Sequence, residues 1–353
     1  MSKAFITAAI VVAAFGVMGG VEAAMAEAAE VMPQVDHHMH IFSPNDVRVF
    51  GMMCKALGPK LCLSRVSPAT ATGVDALAAL DKAGIGRGVL LSTAYFFGSP
   101  ELTGERVDVR REMREENTFV VGQAAASCGR LIAFISVNPL LPNAVEEVEF
   151  WGHRGGVAGV KLHLANSNFD FRDPQQVGKL AEVFQAVGRW HLAIVIHMKT
   201  RAKDYGSQDA RIFLKEVYPR AAGVPIQIAH AAGGGGVDAS ELAALETFAG
   251  AIQDNPREMR RLYFDLAMVP EVFLDERKIA ASAAEVATLK RLMVRIGLDR
   301  FLLASDYTPG LDLGAYFADQ RTELGLSESD WDRLAGNIAP YMAPASADSA
   351  CRR

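Results

Sequence analysis

The sequence predicts a (β/α)8 barrel of the TIM class. Eight short apolar runs alternate with longer segments of helical spacing, the pattern of right-handed βαβ units around a parallel sheet. The 353 residues exceed the roughly 250 that such a barrel uses. The carboxyl ends of several runs carry histidine or aspartate, and that end is where barrels place chemistry.

The expected strands are Gln34–Ile41, Arg87–Thr93, Leu131–Val137, Val157–Leu164, Leu192–Met198, Pro225–His230, Arg261–Ala267 and Arg300–Asp306. Between them Gly73–Ala83, Gln175–Gly188 and Ala281–Ile296 space Ala and Leu as helices do. The segment from Phe42 to Thr72, rich in Pro and Gly, reads as a long loop over the barrel mouth. An open doubly wound sheet would show a Gly-rich turn after its first strand. Here that turn is His38-Met39-His40-Ile41-Phe42.

Ahead of the barrel, Lys3 precedes an apolar stretch to about Gly20, and Ala24-Met25-Ala26 fits a cleavage site. Residues 1–26 are expected to be a signal peptide, 27–345 the barrel domain and 346–353 a disordered tail. The mature chain is then exported, periplasmic or secreted, without a transmembrane segment. An uncleaved N-terminal membrane anchor is the alternative, although the stretch falls short of the roughly 20 residues a span needs. Export would put the four cysteines in an oxidising compartment. Cys54 and Cys62 could staple the long loop, whereas Cys128 and Cys351 show no obvious partners. The net charge of −5 and the lack of a Lys/Arg-rich run exclude a nucleic-acid partner. Oligomeric state stays open, with a two-fold homodimer the commonest assembly.

In Val35-Asp36-His37-His38-Met39-His40, alternation points Asp36, His38 and His40 to one side of the strand. His197 shares a face with Ala193 and Val195, His230 with Ile226 and Ile228, and Asp306 with Leu302 and Ala304. Closing the barrel converges four imidazoles and a carboxylate, the donor set of catalytic zinc with an open position. Lys161 and His163 have the same parity on the fourth strand. A lone inward histidine is more often a hydrogen-bonded core residue, but the five together are not. His37 has the opposite parity and reads as structural. His153 and His191 precede strands, and Asp265 reads as a hydrogen-bonding residue. Lys199 and Arg201 could meet a substrate carboxylate. The run Gly233 to Gly236 reads first as simple flexibility, second as backbone approaching a ligand.

The order of H-x-H, Lys161, His197, His230 and Asp306 resembles the amidohydrolase superfamily. Asp36–His40, Gly159-Val160-Lys161-Leu162-His163, Ile196-His197, Ala229-His230 and Ser305-Asp306 look most like its amidohydrolase-related branch of metal-dependent hydrolases and decarboxylases. The resemblance implies one divalent metal, zinc first, held by His38, His40, His197 and Asp306. It implies His230 beside the metal, and Asp306 and His230 as the catalytic pair. A bound ion lowers the pKa of water from 15.7 to about 7. Asp306 can orient that water, and His230 can polarise a carbonyl or protonate a leaving group. In some relatives a lysine at the place of Lys161 is carboxylated and bridges a second metal; in others it holds substrate, as His163 could. The expected activity is hydrolysis of an amide, ester or lactone in a small molecule, with a carboxylate among the candidates. The alternatives are decarboxylation of an unsaturated or aromatic acid, or a non-catalytic metal- or ligand-binding protein.

Overall fold

The computed structural model describes residues 31–57, 69–102, 108–221, 223–270, 272–274, 277–279 and 281–342. The expected leader, Cys62 and the expected tail lie outside them.

Each expected barrel strand forms: β1 (Val35–Met39), β2 (Arg87–Leu91), β3 (Leu131–Ser136), β4 (Gly159–His163), β5 (Ala193–His197), β6 (Ile226–Ile228) and β7 (Leu262–Asp265). A hairpin of β8 (Val272–Leu274) and β9 (Arg277–Ile279) intervenes before the last barrel strand, β10 (Phe301–Leu302). The barrel strands pair in parallel in the order β1-β2-β3-β4-β5-β6-β7-β10. The ring closes where Met39 bridges Tyr307 and the His37 N–H donates to the Leu303 carbonyl at 3.2 Å.

The helices are α1 (Pro44–Leu57), α2 (Gly73–Ala83), α3 (Val109–Ala125), α4 (Ala144–Arg154), α5 (Pro174–Arg189), α6 (Ser207–Ile212), α7 (Ala239–Asp254), α8 (Ala283–Ile296), α9 (Leu313–Leu324) and α10 (Glu328–Ala335). Among the described residues, none is long and apolar enough to cross a membrane. Part of the expected loop after β1 is therefore the helix α1. Its start is legible in Ser43-Pro44: proline suits the first helical position, and Ser43 Oγ accepts the Asp46 N–H at 3.0 Å.

Two apolar layers hold the barrel. Ile194, Ile196, Ile226, Ile228, Phe264 and Leu303 pack outward against helix residues such as Leu180, Phe184, Phe213 and Phe248. Val35, Val89, Leu91, Phe134, Val195 and Leu302 form a separate cluster. Those residues come from five strands around the ring, so they meet in its interior. Gly159 makes room for the Phe134 ring: a Cβ there would lie 2.2 Å from Phe134 Cε1 and 2.4 Å from the Ala193 carbonyl oxygen. The segment after α10 plugs this interior with Ala339, Tyr341 and Met342.

Candidate metal centre

His38 in β1 and His40 just beyond it reach the site because the strand breaks its own alternation. A pairing irregularity lies between Asp36 and Met39. Val35 faces the interior cluster, and Asp36 turns instead to the other side of the seam. Its Oδ1 accepts the backbone N–H of Ser305 and of His38, each at 3.1 Å, and its Oδ2 accepts the Ser305 hydroxyl. The expectation that Asp36 shares the face of His38 and His40 is thus corrected by the bulge. His37 is structural, as expected: its Nδ1–H donates to the Leu303 carbonyl at 3.0 Å and its Nε2 accepts the Ala339 N–H at 3.2 Å.

The donor atoms converge at the carboxyl end of the barrel. His38 Nε2 lies 3.2 Å from His40 Nε2 and 3.1 Å from Asp306 Oδ1, and His40 Nε2 lies 3.3 Å from the same oxygen. His38, His230 and Asp306 also offer donor atoms within 4.8 Å of one another. Donors about 2.1 Å from a tetrahedral ion sit about 3.4 Å apart, so the spacing of His38, His40 and Asp306 suits one ion.

The tautomers agree with the spacing. His38 Nδ1–H donates to Asp265 Oδ2 at 3.2 Å, His40 Nδ1–H to the Leu91 carbonyl at 2.8 Å, and His230 Nδ1–H to the Ala267 carbonyl at 2.8 Å. Each ring then presents a lone pair at Nε2, the arrangement that orients metal-ligating histidines. Facing lone pairs and a carboxylate oxygen call for a shared cation, so the residues fit a divalent metal. Burial would raise the Asp306 carboxyl, but His38, His230 and His40 around it hold it well below the usual range. It is partly open, with 28% of its side chain exposed.

His230 reaches this group by a route that simple alternation does not give. Ile226 and Ile228 face the helices, contrary to their expected inward parity, and Gln227 faces the interior. After Ile228 the chain turns left-handed through His230, Ala231 and Ala232, at φ of 53°, 50° and 74°. Such backbone is costly for non-glycine residues. It is held by the His230 N–H to Asp265 Oδ1 at 2.8 Å, the Gly233 N–H to the His230 carbonyl at 2.8 Å and the Tyr205 hydroxyl to the Ala232 carbonyl at 2.6 Å. Asp306 is left-handed as well, at φ 57°.

His197 edges the His230 ring at 5.0 Å and stacks on His163 at 3.9 Å and 15°. His163 accepts the Asn166 N–H at Nδ1, 3.3 Å away, so its proton sits on Nε2 and it is a donor there. Burial lowers both rings well below the usual histidine value. Lys161 Nζ lies 3.0 Å from His38 Nε2, and burial brings its ammonium down to about 8.

Other candidates find different work. Lys199 pairs with Asp238 at 2.6 Å. His153 packs on Trp190 at 4.3 Å. The Gly run is close packing rather than simple slack: a Cβ at Gly233 would overlap the Glu241 carboxylate, and one at Gly234 would lie 3.2 Å from Lys199 Cδ. Cys128 is disulfide-bonded, although the sequence offered it no evident partner. The sequence reading missed Gln227 and Tyr341; the sign of Gln227 was one amide between two isoleucines in a buried strand.

A family profile described as Amidohydrolase matches residues 35–336. No functionally curated protein sequence matches the chain. One similar structure is 5-carboxyvanillate decarboxylase of Novosphingobium aromaticivorans with manganese and 4-hydroxy-3-methoxy-5-nitrobenzoic acid. It is 13% identical, covering 87% of this chain and 94% of that one, with a TM-score of 0.57. A second is a probable 2-pyrone-4,6-dicarboxylic acid hydrolase of Acinetobacter baumannii with citric acid, 13% identical, covering 86% and 96%, TM-score 0.53. A third is a zinc-bound amidohydrolase of Burkholderia multivorans, 14% identical, covering 86% and 96%, TM-score 0.52. The profile spans most of the chain and the neighbours share its barrel, so this protein belongs to the amidohydrolase family and is an enzyme of that family.

Proposed function

We propose that the protein is a metal-dependent hydrolase of an amide, ester or lactone bond in a small molecule. His38, His40, His197 and Asp306 would hold one divalent ion, and His230 would face the substrate. A bound divalent ion supplies a Lewis acid and acidifies a water. The Asp306 carboxylate, with 28% of its side chain exposed, would take that water's proton. His230 Nε2, which presents a lone pair, would take that proton over from Asp306 and pass it to the leaving atom. His163 Nε2–H donates to a substrate oxygen. The neighbours' bound organic acids make carboxylate-bearing substrates the first to try.

The observation that supports hydrolysis is the partly open Asp306 carboxylate, its Oδ1 3.1 Å from His38 Nε2 and 3.3 Å from His40 Nε2. Hydrolysis needs a base beside its water, whereas decarboxylation does not. The test offers the purified protein a lactone and ester panel beside an aromatic carboxylate panel. Acid release from the first supports the proposal; carbon dioxide release from the second, without hydrolysis, contradicts it. His230→Ala should keep the metal and lose turnover, while His197→Ala should lose both.

One observation favours a two-metal form. Lys161 Nζ touches the ligand His38 rather than open space, so a carboxylated Lys161 would enter the coordination zone directly. Two metals per chain would establish that form.

A further inference from the structure

Gln227 is fully buried in the barrel interior, where an amide needs partners at both ends. Its Nε2 donates to Asp265 Oδ2 at 2.6 Å and to the His37 carbonyl at 3.3 Å. Its Oε1 accepts the hydroxyl of Tyr341. Tyr341 belongs to the plug beneath the barrel, where its ring meets Phe134 edge-on at 5.0 Å. Asp265 is saturated in turn. Beside Gln227, its Oδ2 takes the His38 Nδ1–H, and its Oδ1 takes the N–H of His230 and, at 3.2 Å, of Ala267.

These bonds run in one direction, from the floor of the barrel to its mouth. Tyr341 donates to Gln227, and Gln227 donates to Asp265. A carboxylate only accepts, so a flipped amide would set Oε1 against Asp265 Oδ2 and Nε2 against the Tyr341 hydroxyl. The ends of the chain therefore fix the amide between them. Asp265, held on that side, is left to orient the His38 ring and the His230 backbone.

We propose that Tyr341 and Gln227 are positioning residues for the metal centre: the C-terminal plug acts through Asp265 to aim His38 Nε2 at the ion. The proposal rests on the reading of His38 as a metal ligand. It gives the segment after α10 a role in the site at the opposite end of the barrel.

The test is metal affinity, by competition of zinc against a chromophoric chelator, in the full chain and in Gln227→Leu, Tyr341→Phe and Met342→Ala. Met342 shares the plug but only packs, so Met342→Ala separates loss of packing from loss of the hydrogen-bond chain. Gln227→Leu should weaken zinc binding about 10-fold, and Tyr341→Phe about 3-fold, by analogy with partners that orient metal-bound histidines. Met342→Ala should lower Tm with affinity unchanged. The visible spectrum of the cobalt-substituted protein should shift in the first two variants and not in the third. If Gln227→Leu does not fold, Tyr341→Phe alone decides. Parental affinity in Tyr341→Phe, or equal loss in Met342→Ala, overturns the proposal while leaving the metal reading intact. Failure of the parent chain to bind zinc or cobalt overturns both.

Discussion

Asp265 and His38, 227 positions apart, meet inside the barrel, with His38 Nδ1 3.2 Å from Asp265 Oδ2. The same carboxylate takes the His230 backbone N–H. One side chain at the end of β7 thus sets the ring of one site residue and the backbone of another. Asp265→Ala should weaken metal binding by about 10- to 100-fold, the usual cost of losing a partner that orients a ligating histidine. Chelator competition checks it; unchanged affinity would mean that Asp265 serves only the fold.

His38→Ala and Asp306→Asn should each abolish turnover and leave the circular dichroism spectrum of the folded chain. Asp306 is at φ 57°, a conformation asparagine tolerates, so the second substitution removes charge with little backbone penalty. Activity in both variants would refute the site.

Legibility followed the backbone's regularity. All eight barrel strands and the α2 boundaries were readable, because apolar runs and helical spacing report burial directly. The parity of β5 held, placing Ala193 and Val195 in the interior cluster below His197. Parity failed where the chain left the strand. The irregularity after Asp36 and the left-handed turn at His230 each shift faces by one residue, and alternation cannot foresee either. The helix α1 was hidden among Pro and Gly, although Ser43-Pro44 marked its start. Tyr341 was out of reach, since its partner lies 114 positions away.

Gly159→Ala should destabilise the barrel by about 1–3 kcal/mol, the usual range for overpacking. The added carbon would meet the Phe134 ring and a backbone carbonyl of β5, and the backbone cannot swing aside. Phe134→Leu in the same chain should recover part of the loss in Tm. Full stability of Gly159→Ala would show the interior to be looser than described.

Glu116 gives a pH signature away from the metal centre. It is buried beside Asp46, and among the described residues Glu116 Oε1 and Asp46 Oδ1 have no hydrogen-bond partner. Burial raises the Glu116 carboxyl to about 7 from its ordinary 4.5. The native state therefore keeps a proton that the unfolded chain releases. The stability this contributes is present below pH 4.5 and lost as pH rises to about 7. Glu116→Gln keeps an acceptor for the Ser43 hydroxyl and has no charge to lose. It should match the parent near pH 4.5 and exceed it at pH 8 by on the order of 1–3 kcal/mol in urea unfolding. Equal stability at both pH values would contradict the assignment.

The most direct test of the account is metal content per chain, by mass spectrometry of protein purified without chelators, beside His38→Ala and Asp306→Asn prepared alike. The account predicts about one divalent ion per parent chain and a large loss in both variants. A parent chain that takes up no divalent metal even when it is supplied, or variants that retain the full complement, would contradict it.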